Sequence, residues 1–378
     1  MTRYLTLDDV EVGGRRVLVR SDLNVPLAEG EVSDDFRLRS ALPTLERLVA
    51  SGAAVTVCSH LGRPKGVDPG LSLEVVARRM DELSDYDVRF ESAGDITVLE
   101  NTRFLEGETS NEPDTARQLA EGFDLFVQDA FGSVHRAHAS TVGIAELVES
   151  AAGPLLDAEL AALGRFLGEP ARPYTVVLGG AKLSDKLGVI ENLLPRVDRM
   201  LVGGGMCFTF LSAQGMGVGR SLVQEDMLEK VCDLLEGPNA HKIVLPVDIA
   251  VGEEFSERAT RHVVLASEIP DDTIGLDIGP ETGAGYWELI GSSASVFWNG
   301  PMGVFEWESF RNGTEHIARA MADCDGFTVV GGGDSAAALR LLGLESAVSH
   351  LSTGGGAGLE LLEGRILPGV AVLERWVR

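Results

Sequence analysis

Residues 174–194, YTVVLGGAKLSDKLGVIENLL, hold the pattern that decides the fold. A nearly continuous apolar run, YTVVL, stops at two glycines, and apolar residues return at helical spacing in DKLGVIENLL (185–194). A strand that is apolar on both faces is one that a sheet buries on both sides. Strand, glycine turn and helix in that order make half of a βαβ unit.

The same pattern recurs on both sides of this stretch. Toward the N-terminus, strands are predicted at RVLVR (16–20), AVTVCS (54–59), ITVLE (96–100) and DLFVQD (124–129). Beyond 174–180 they are predicted at 199–205, KIVLP (242–246), SVFWNG (295–300), FTVVGGG (327–333) and SHLSTGG (349–355). Helical stretches such as ALPTLERLVASG (41–52) lie between many of them. Alternating β and α elements predict an α/β fold with mostly parallel, doubly wound sheets. With 378 residues the chain is long enough for two such domains. Gly153-Pro154 opens a stretch with Leu156, Leu160, Leu163 and Leu167 at helical spacing, closed by Gly168 and Pro170. That is the expected asymmetry of helix ends. The expected division is therefore residues 1–153, a joining helix over 154–170, and a second lobe over 171–361.

Composition narrows the partners. Fifty-eight acidic residues face 32 basic ones, a net charge of −26. Such a surface repels nucleic acid and anionic membrane. No run of 18 apolar residues is present, so no membrane span is expected. MTRYLTLDDV has no export-signal core, and Cys58, Cys207, Cys232 and Cys324 form no paired spacing, so a reducing, cytoplasmic location is expected. Only five of the basic residues are lysine: Lys65, Lys182, Lys186, Lys230 and Lys242. Acid-rich, lysine-poor chains suit salt-accumulating cells, where screening removes self-repulsion. An arginine-favouring codon composition would give a similar ratio.

The unusual residues cluster where strands end, which is where open parallel sheets bind ligands. In the second half, Gly179-Gly180 precede Lys182 and Lys186, whose spacing would set both on one face of a helix start. Gly331-Gly332-Gly333-Asp334-Ser335 repeats the phosphate cradle with a carboxylate suited to Mg²⁺ or, alternatively, to helix capping. Gly203-Gly204-Gly205, Asn299 and Glu306 add a third glycine turn, a polar group and a candidate ribose acceptor. In the first half the strand ends carry Asp22, Asn24, Arg37, His60, Leu61, Gly62, Arg63, Arg103, Arg136 and His138. So many cations at successive strand ends of an acidic chain predict one pocket for a small anion, since arginine forks match carboxylate and phosphate oxygens. There is no GxxxxGK[ST] and no HRD or DFG, which excludes Walker-A proteins and protein kinases. Residues 331–336 fit GxGxxA, but the acidic residue of a dinucleotide fingerprint is missing about 20 positions on. That counts against a dehydrogenase.

Taken in order, VRSDLNVPL (19–27), SHLGRPKG (59–66), LENTRF (99–104), DAFGSVHRAHAST (129–141), LGGAKLSDKLGVIENLL (178–194), GGGMCFTFL (203–211), WNGPMGVFE (298–306), GGGDSAA (331–337) and STGGGAGLELLEG (352–364) resemble the phosphoglycerate kinase family nearly end to end. The resemblance implies two Rossmann-like lobes joined by a helix, with a C-terminal tail (362–378) returning to the first lobe. It implies that Asp22, Asn24, Arg37, His60, Leu61, Gly62, Arg63, Arg103 and Arg136 hold 3-phosphoglycerate or 1,3-bisphosphoglycerate. ATP or ADP would lie on Gly180, Lys186, Gly203, Gly204, Asn299, Glu306, Gly332, Gly333, Asp334 and Ser335, with Asp334 on Mg²⁺. Arg37, Lys182 and Lys186 would be catalytic, in a monomeric enzyme whose lobes close to bring the substrates together. Leu23, Ser133-Val134 and Ser335 stand where the family has Phe, Thr-Ala and Thr. Ser335 keeps the hydroxyl. A non-catalytic nucleotide-binding protein remains the other alternative, and the presence of Arg37, Lys182 and Asp334 speaks against it.

Overall fold

The computed structural model describes residues 3–377. Two compact units form: one runs to Ala161 and takes in the segment from Arg365, and the other is Ala162–Gly364. The division falls inside the helix Pro154–Leu167, and the chain crosses back after Gly364.

In the first unit six parallel strands lie in the order Val88–Phe90, Ile96–Val98, Ala54–Cys58, Arg16–Arg20, Leu125–Gln128, Ser150–Ala152. In the second the order is Ile243–Val244, Arg199–Val202, Tyr174–Leu178, Ser295–Asn299, Phe327–Gly331, His350–Leu351, again parallel. Numbered along the chain, the second sheet reads 3-2-1-4-5-6, the order of a doubly wound nucleotide-binding sheet. Its topological switch lies between Tyr174–Leu178 and Ser295–Asn299, so a crevice is expected beyond their carboxyl ends. Both strands are buried at every residue, the physical origin of their continuous apolar character. Val177, Trp298, Val330, Ile317 and Met321 fill one core of this unit, and Val17, Val19, Val55, Val57, Leu38 and Leu45 that of the first. Each fully buried aliphatic side chain contributes about 1.5–3 kcal/mol.

Several elements differ from expectation. The helix expected at 41–52 runs Phe36–Ala50, straight through Pro43. Proline removes one helical hydrogen bond, but Leu38, Ala41, Leu42, Leu45 and Leu48 are buried along the helix and hold it. Arg37 therefore sits on a helix rather than at a strand end. The helix expected at 185–194 starts only at Leu187. Strands Val88–Phe90 and Ser150–Ala152, and an antiparallel sheet of His262–Leu265, Asp248–Gly252 and Ile274–Ile278, have no counterpart in the sequence reading. His262–Leu265 is mostly exposed, so burial leaves little hydrophobic pattern there to read. No helix among the described residues is long and apolar enough to cross a membrane.

Candidate functional site

In the first unit the arginine pocket is a linked set of side chains at the strand ends. Arg37 donates to the Asp22 carboxylate at 2.9 Å and to the Asn24 carbonyl at 3.1 Å. The Asn24 side chain accepts the Gly62 N–H at 2.8 Å, and the Gly62 carbonyl accepts from Arg103. Gly62 has φ +62° and carries both bonds in a backbone conformation that favours glycine. Leu61 instead turns its side chain into the core. Arg136 bonds His135 at 3.0 Å, and Arg63 is exposed.

The charges register on their neighbours. Burial, then Arg20, Arg103, Arg136 and Arg37, push the His60 pKa well below its ordinary value. Burial, then Arg136 and Arg20, push the Arg103 guanidinium down to about 10. Burial is likewise the main cause holding His138 at about 4. Four guanidinium groups thus all oppose a charged imidazole at His60, the kind of perturbation that clusters at functional sites.

The sequence reading missed the layer behind this pocket. Arg20 is 0% exposed and reads in sequence as the last residue of an apolar strand. It donates to Ser140 at 2.9 Å, to the Ser21 carbonyl and to Ser59, and it meets His60 at 3.0 Å. Glu108, 1% exposed, accepts from Ser140 through both N–H and hydroxyl and from Thr102. Only a buried strand-end arginine followed by two more polar residues hinted at it.

In the second unit a cavity of about 360 Å³ opens at the switch point, lined by Gly180, Lys182, Lys186, Asn299, Gly332 and Asp334 among others. An adjoining slot of about 280 Å³ shares Gly180, Ala181, Pro301 and Asp334 with it. The slot continues over Gly204, Phe208, Leu222, Leu276, Val304 and Glu306. One compartment is lined by glycines, lysines and the carboxylates Asp185 and Asp334, the other mainly by apolar walls ending in Glu306.

Main-chain contacts build the cradle. Gly180 N–H bonds the Pro301 carbonyl at 2.7 Å, Gly204 N–H that of Met302 at 3.1 Å, and Met206 N–H that of Gly180 at 3.0 Å. Gly204 has φ +63°, and a Cβ there would lie 2.5 Å from the Gly180 nitrogen and 2.7 Å from the Pro301 oxygen. Gly203 is a packing residue: its Cβ would strike the Met302 sulfur at 2.5 Å.

Lys186 is 9% exposed, and its amine donates to the Asn299 side chain, whose other end donates to the Gly331 carbonyl at 2.8 Å. Burial lowers the Lys186 pKa, with Asp185 and Asp334 opposing. Lys182 is exposed. The two lysines share the cavity but not a helical face. Residues 181–186 form turns, because the Gln224 side chain takes the N–H groups of Leu183 and Ser184 and donates to the Ser184 hydroxyl at 3.0 Å. Gln224 lies 40 residues from Ser184 and carried no signal in the sequence. The capping role considered for Asp334 is also overturned. Gly332, with φ +92°, is the N-cap of helix Gly333–Leu342, and Asp334 sits exposed in the first turn without a capping bond. Ser335 is fully buried and accepts the Gly300 N–H at 2.7 Å, tying two cradle loops together.

Fold and sites together define a class: two-unit α/β proteins, one unit with a glycine-walled cavity at the switch point of its parallel sheet and the other with a cluster of guanidinium groups beside its strand ends. Comparison with known proteins narrows it. The family model for phosphoglycerate kinase matches residues 7–365. A phosphoglycerate kinase of Rubrobacter xylanophilus is 53% identical over 380 residues, covering 97% of each chain. That of Salinispora arenicola is 54% identical over 98% of this chain and 99% of its own. The solved phosphoglycerate kinase from Coxiella burnetii matches with a TM-score of 0.88 at 39% identity, covering 99% of both chains. The one from Pyrococcus horikoshii gives 0.87 at 31% identity, covering 98% of this chain and 99% of its own. The chain belongs to the phosphoglycerate kinase family.

Proposed function

We propose that the protein catalyses reversible phosphoryl transfer from 1,3-bisphosphoglycerate to ADP, with the acceptor anion on Asp22, Asn24, Arg37, His60, Arg63, Arg103 and Arg136. The nucleotide phosphates lie against Gly180, Lys186 and Gly332–Ser335, the base and ribose in the apolar slot that ends at Glu306. The observation that carries this reading is the buried Lys186, held by Asn299 in a glycine-walled cavity beside Asp334. An exposed hard carboxylate at a phosphate cradle suits Mg²⁺, which takes one or two carboxylates plus phosphate oxygens. When bound, the ion neutralises phosphate charge, and Asp334 is the side chain that would hold it.

In the ATP-consuming direction the attacking group is the carboxylate of 3-phosphoglycerate. A carboxylate is already ionised at pH 7, so no general base is required. The work left to the protein is alignment and charge neutralisation. Arg37 and Lys182 supply donors to the equatorial oxygens, and Lys186 supplies a third from a dry position where each donor is stronger than in water. Asn299 keeps the Lys186 ammonium aimed into the cavity.

Four free cysteines support a reducing, cytoplasmic location, and the substrates alone suffice as partners of a monomer. The net charge of −26 with five lysines supports adaptation to high salt. The deciding experiment is a coupled assay with 3-phosphoglycerate, ATP and Mg²⁺. Oxidation of a reporter cofactor only when all three are present is the expected result. No turnover by folded protein would leave a nucleotide-binding protein that is not an enzyme.

A further inference from the structure

Arg20 meets the imidazole of His60 at Nδ1, 3.0 Å from its Nη2. Arginine has donors only and does not lose its proton in proteins. The Nδ1 atom must therefore be the acceptor, and the single proton of a neutral imidazole must sit on Nε2. We propose that Arg20 is a positioning residue that fixes His60 as the neutral Nε2–H tautomer, so that this histidine serves the anion pocket as a hydrogen-bond donor and not as a cation. The second half of that statement rests on the substrate reading given above.

The arrangement behind Arg20 leaves it little freedom. The Ser140 hydroxyl donates to the Glu108 carboxylate at 2.6 Å, so its lone pair receives Arg20 Nε at 2.9 Å. Arg20 Nη1 is held by the Ser21 carbonyl and by Ser59 Oγ at 3.3 Å. Glu108 takes two further bonds, from Ser140 N–H at 3.0 Å and Thr102 Oγ at 3.1 Å. Arg20 and Glu108 are 0% and 1% exposed. These bonds place Arg20 Nε, Nη1 and Nη2 each on an acceptor and fix the direction of the Ser140 hydroxyl, which favours one arrangement of protons.

A second, independent consideration opposes a charged ring. Arg20 contacts the ring, and the charges of Arg103, Arg136 and Arg37 also disfavour its protonation; the acidic groups nearby, Asp22 and Glu108, are engaged by Arg37 and by Ser140, and His60 is 8% exposed. A proton added at Nδ1 would face the Arg20 donor directly. The positive potential of the pocket thus belongs to guanidinium groups, which do not titrate in the physiological range. His60 adds direction without adding a pH-dependent charge.

The test is a two-bond ¹H–¹⁵N correlation spectrum of the histidine rings of the full, ligand-free chain between pH 5.5 and 8. The chain has seven histidines, and His60→Gln identifies the signal. An Nε2–H pattern that stays unshifted across the range is expected. An Nδ1–H pattern, or a ring that becomes doubly protonated within it, would overturn the proposal. If Arg20→Met folds, its His60 signal should become a tautomer mixture or titrate, and 3-phosphoglycerate affinity should acquire a slope with pH while ATP affinity does not. An unchanged tautomer in that variant would show that Arg20 does not set it. Should Arg20→Met fail to fold, the wild-type spectrum decides. Absence of 3-phosphoglycerate binding with the Nε2–H tautomer in place would sink the substrate reading and leave the tautomer assignment standing.

Discussion

The two candidate sites are made of different material. In the first unit charged side chains converge, and the main chain serves chiefly to hold them: Asn24 and Gly62 brace Arg37 and Arg103. In the second the main chain forms much of the wall, and Asn299 and Ser335 act by bonding one loop to another. A small carboxylate with a phosphate is well matched by guanidinium forks placed around it. A polyphosphate is larger and more diffuse, and backbone N–H groups reached through glycine can follow its length. The difference implies different vulnerabilities. The first site should be sensitive chiefly to loss of one side chain, and the second to gain of one methyl group in its loops as well as to loss of a side chain.

The largest effect expected from this contrast is at Arg37. Arg37→Ala should lower turnover by about 10³-fold, the scale of removing a preorganised donor to transition-state charge. ATP should still bind. Steady-state kinetics together with a nucleotide titration would check this, and near-normal turnover would remove Arg37 from the mechanism.

Asp334 is the side chain on which the second site depends most. Asp334→Ala should weaken Mg-nucleotide binding by at least about tenfold, or 1.4 kcal/mol, with 3-phosphoglycerate binding little changed. Calorimetry giving an equal loss for both ligands would deny it a metal role.

Gly204 tests the methyl-group half of the contrast. With φ +63° and a Cβ forced to 2.5 Å from the Gly180 nitrogen, Gly204→Ala should cost about 1–3 kcal/mol of stability. It should also weaken nucleotide binding. 3-Phosphoglycerate binding should survive, and a chemical denaturation curve unchanged from wild type would show that the loops yield freely.

The smallest effect is that of salt. At 0.01 M the Debye length is about 30 Å, and at 1 M about 3 Å. Repulsion across a surface with net charge −26 therefore fades with salt, and the melting temperature and activity should both rise from 0.05 M to 1 M KCl. Each kcal/mol of added stability is worth about 2–4 °C in domains of 150–250 residues. Screening should weaken the hold of the arginine pocket on its anion at the same time, trimming the gain in kcat/KM but not in melting temperature. A flat or falling melting curve would mean that the acidic surface is no salt adaptation.

Sequence alone determined the α/β class and the parallel sheets, and it singled out the glycines, lysines and arginines from which the two candidate sites are argued. The reason is that these depend on local composition: strands buried on both faces must be apolar throughout, and loops that approach phosphate or one another closely must be glycine. Arginines at strand ends of so acidic a chain stood out for the same reason. What only the tertiary structure decided depends on partners distant in sequence. Residues 181–186 could read as the start of a helix until Gln224 took the N–H groups of Leu183 and Ser184. Asp334 could read as a cap until Gly332 filled that position. Arg20 and Glu108, 88 positions apart by their numbers, join through Ser140, where strand ends and loops are packed together. Hydrogen bonds are specific to position and direction and leave no periodic mark on the chain, so their network becomes visible only when the fold supplies both ends.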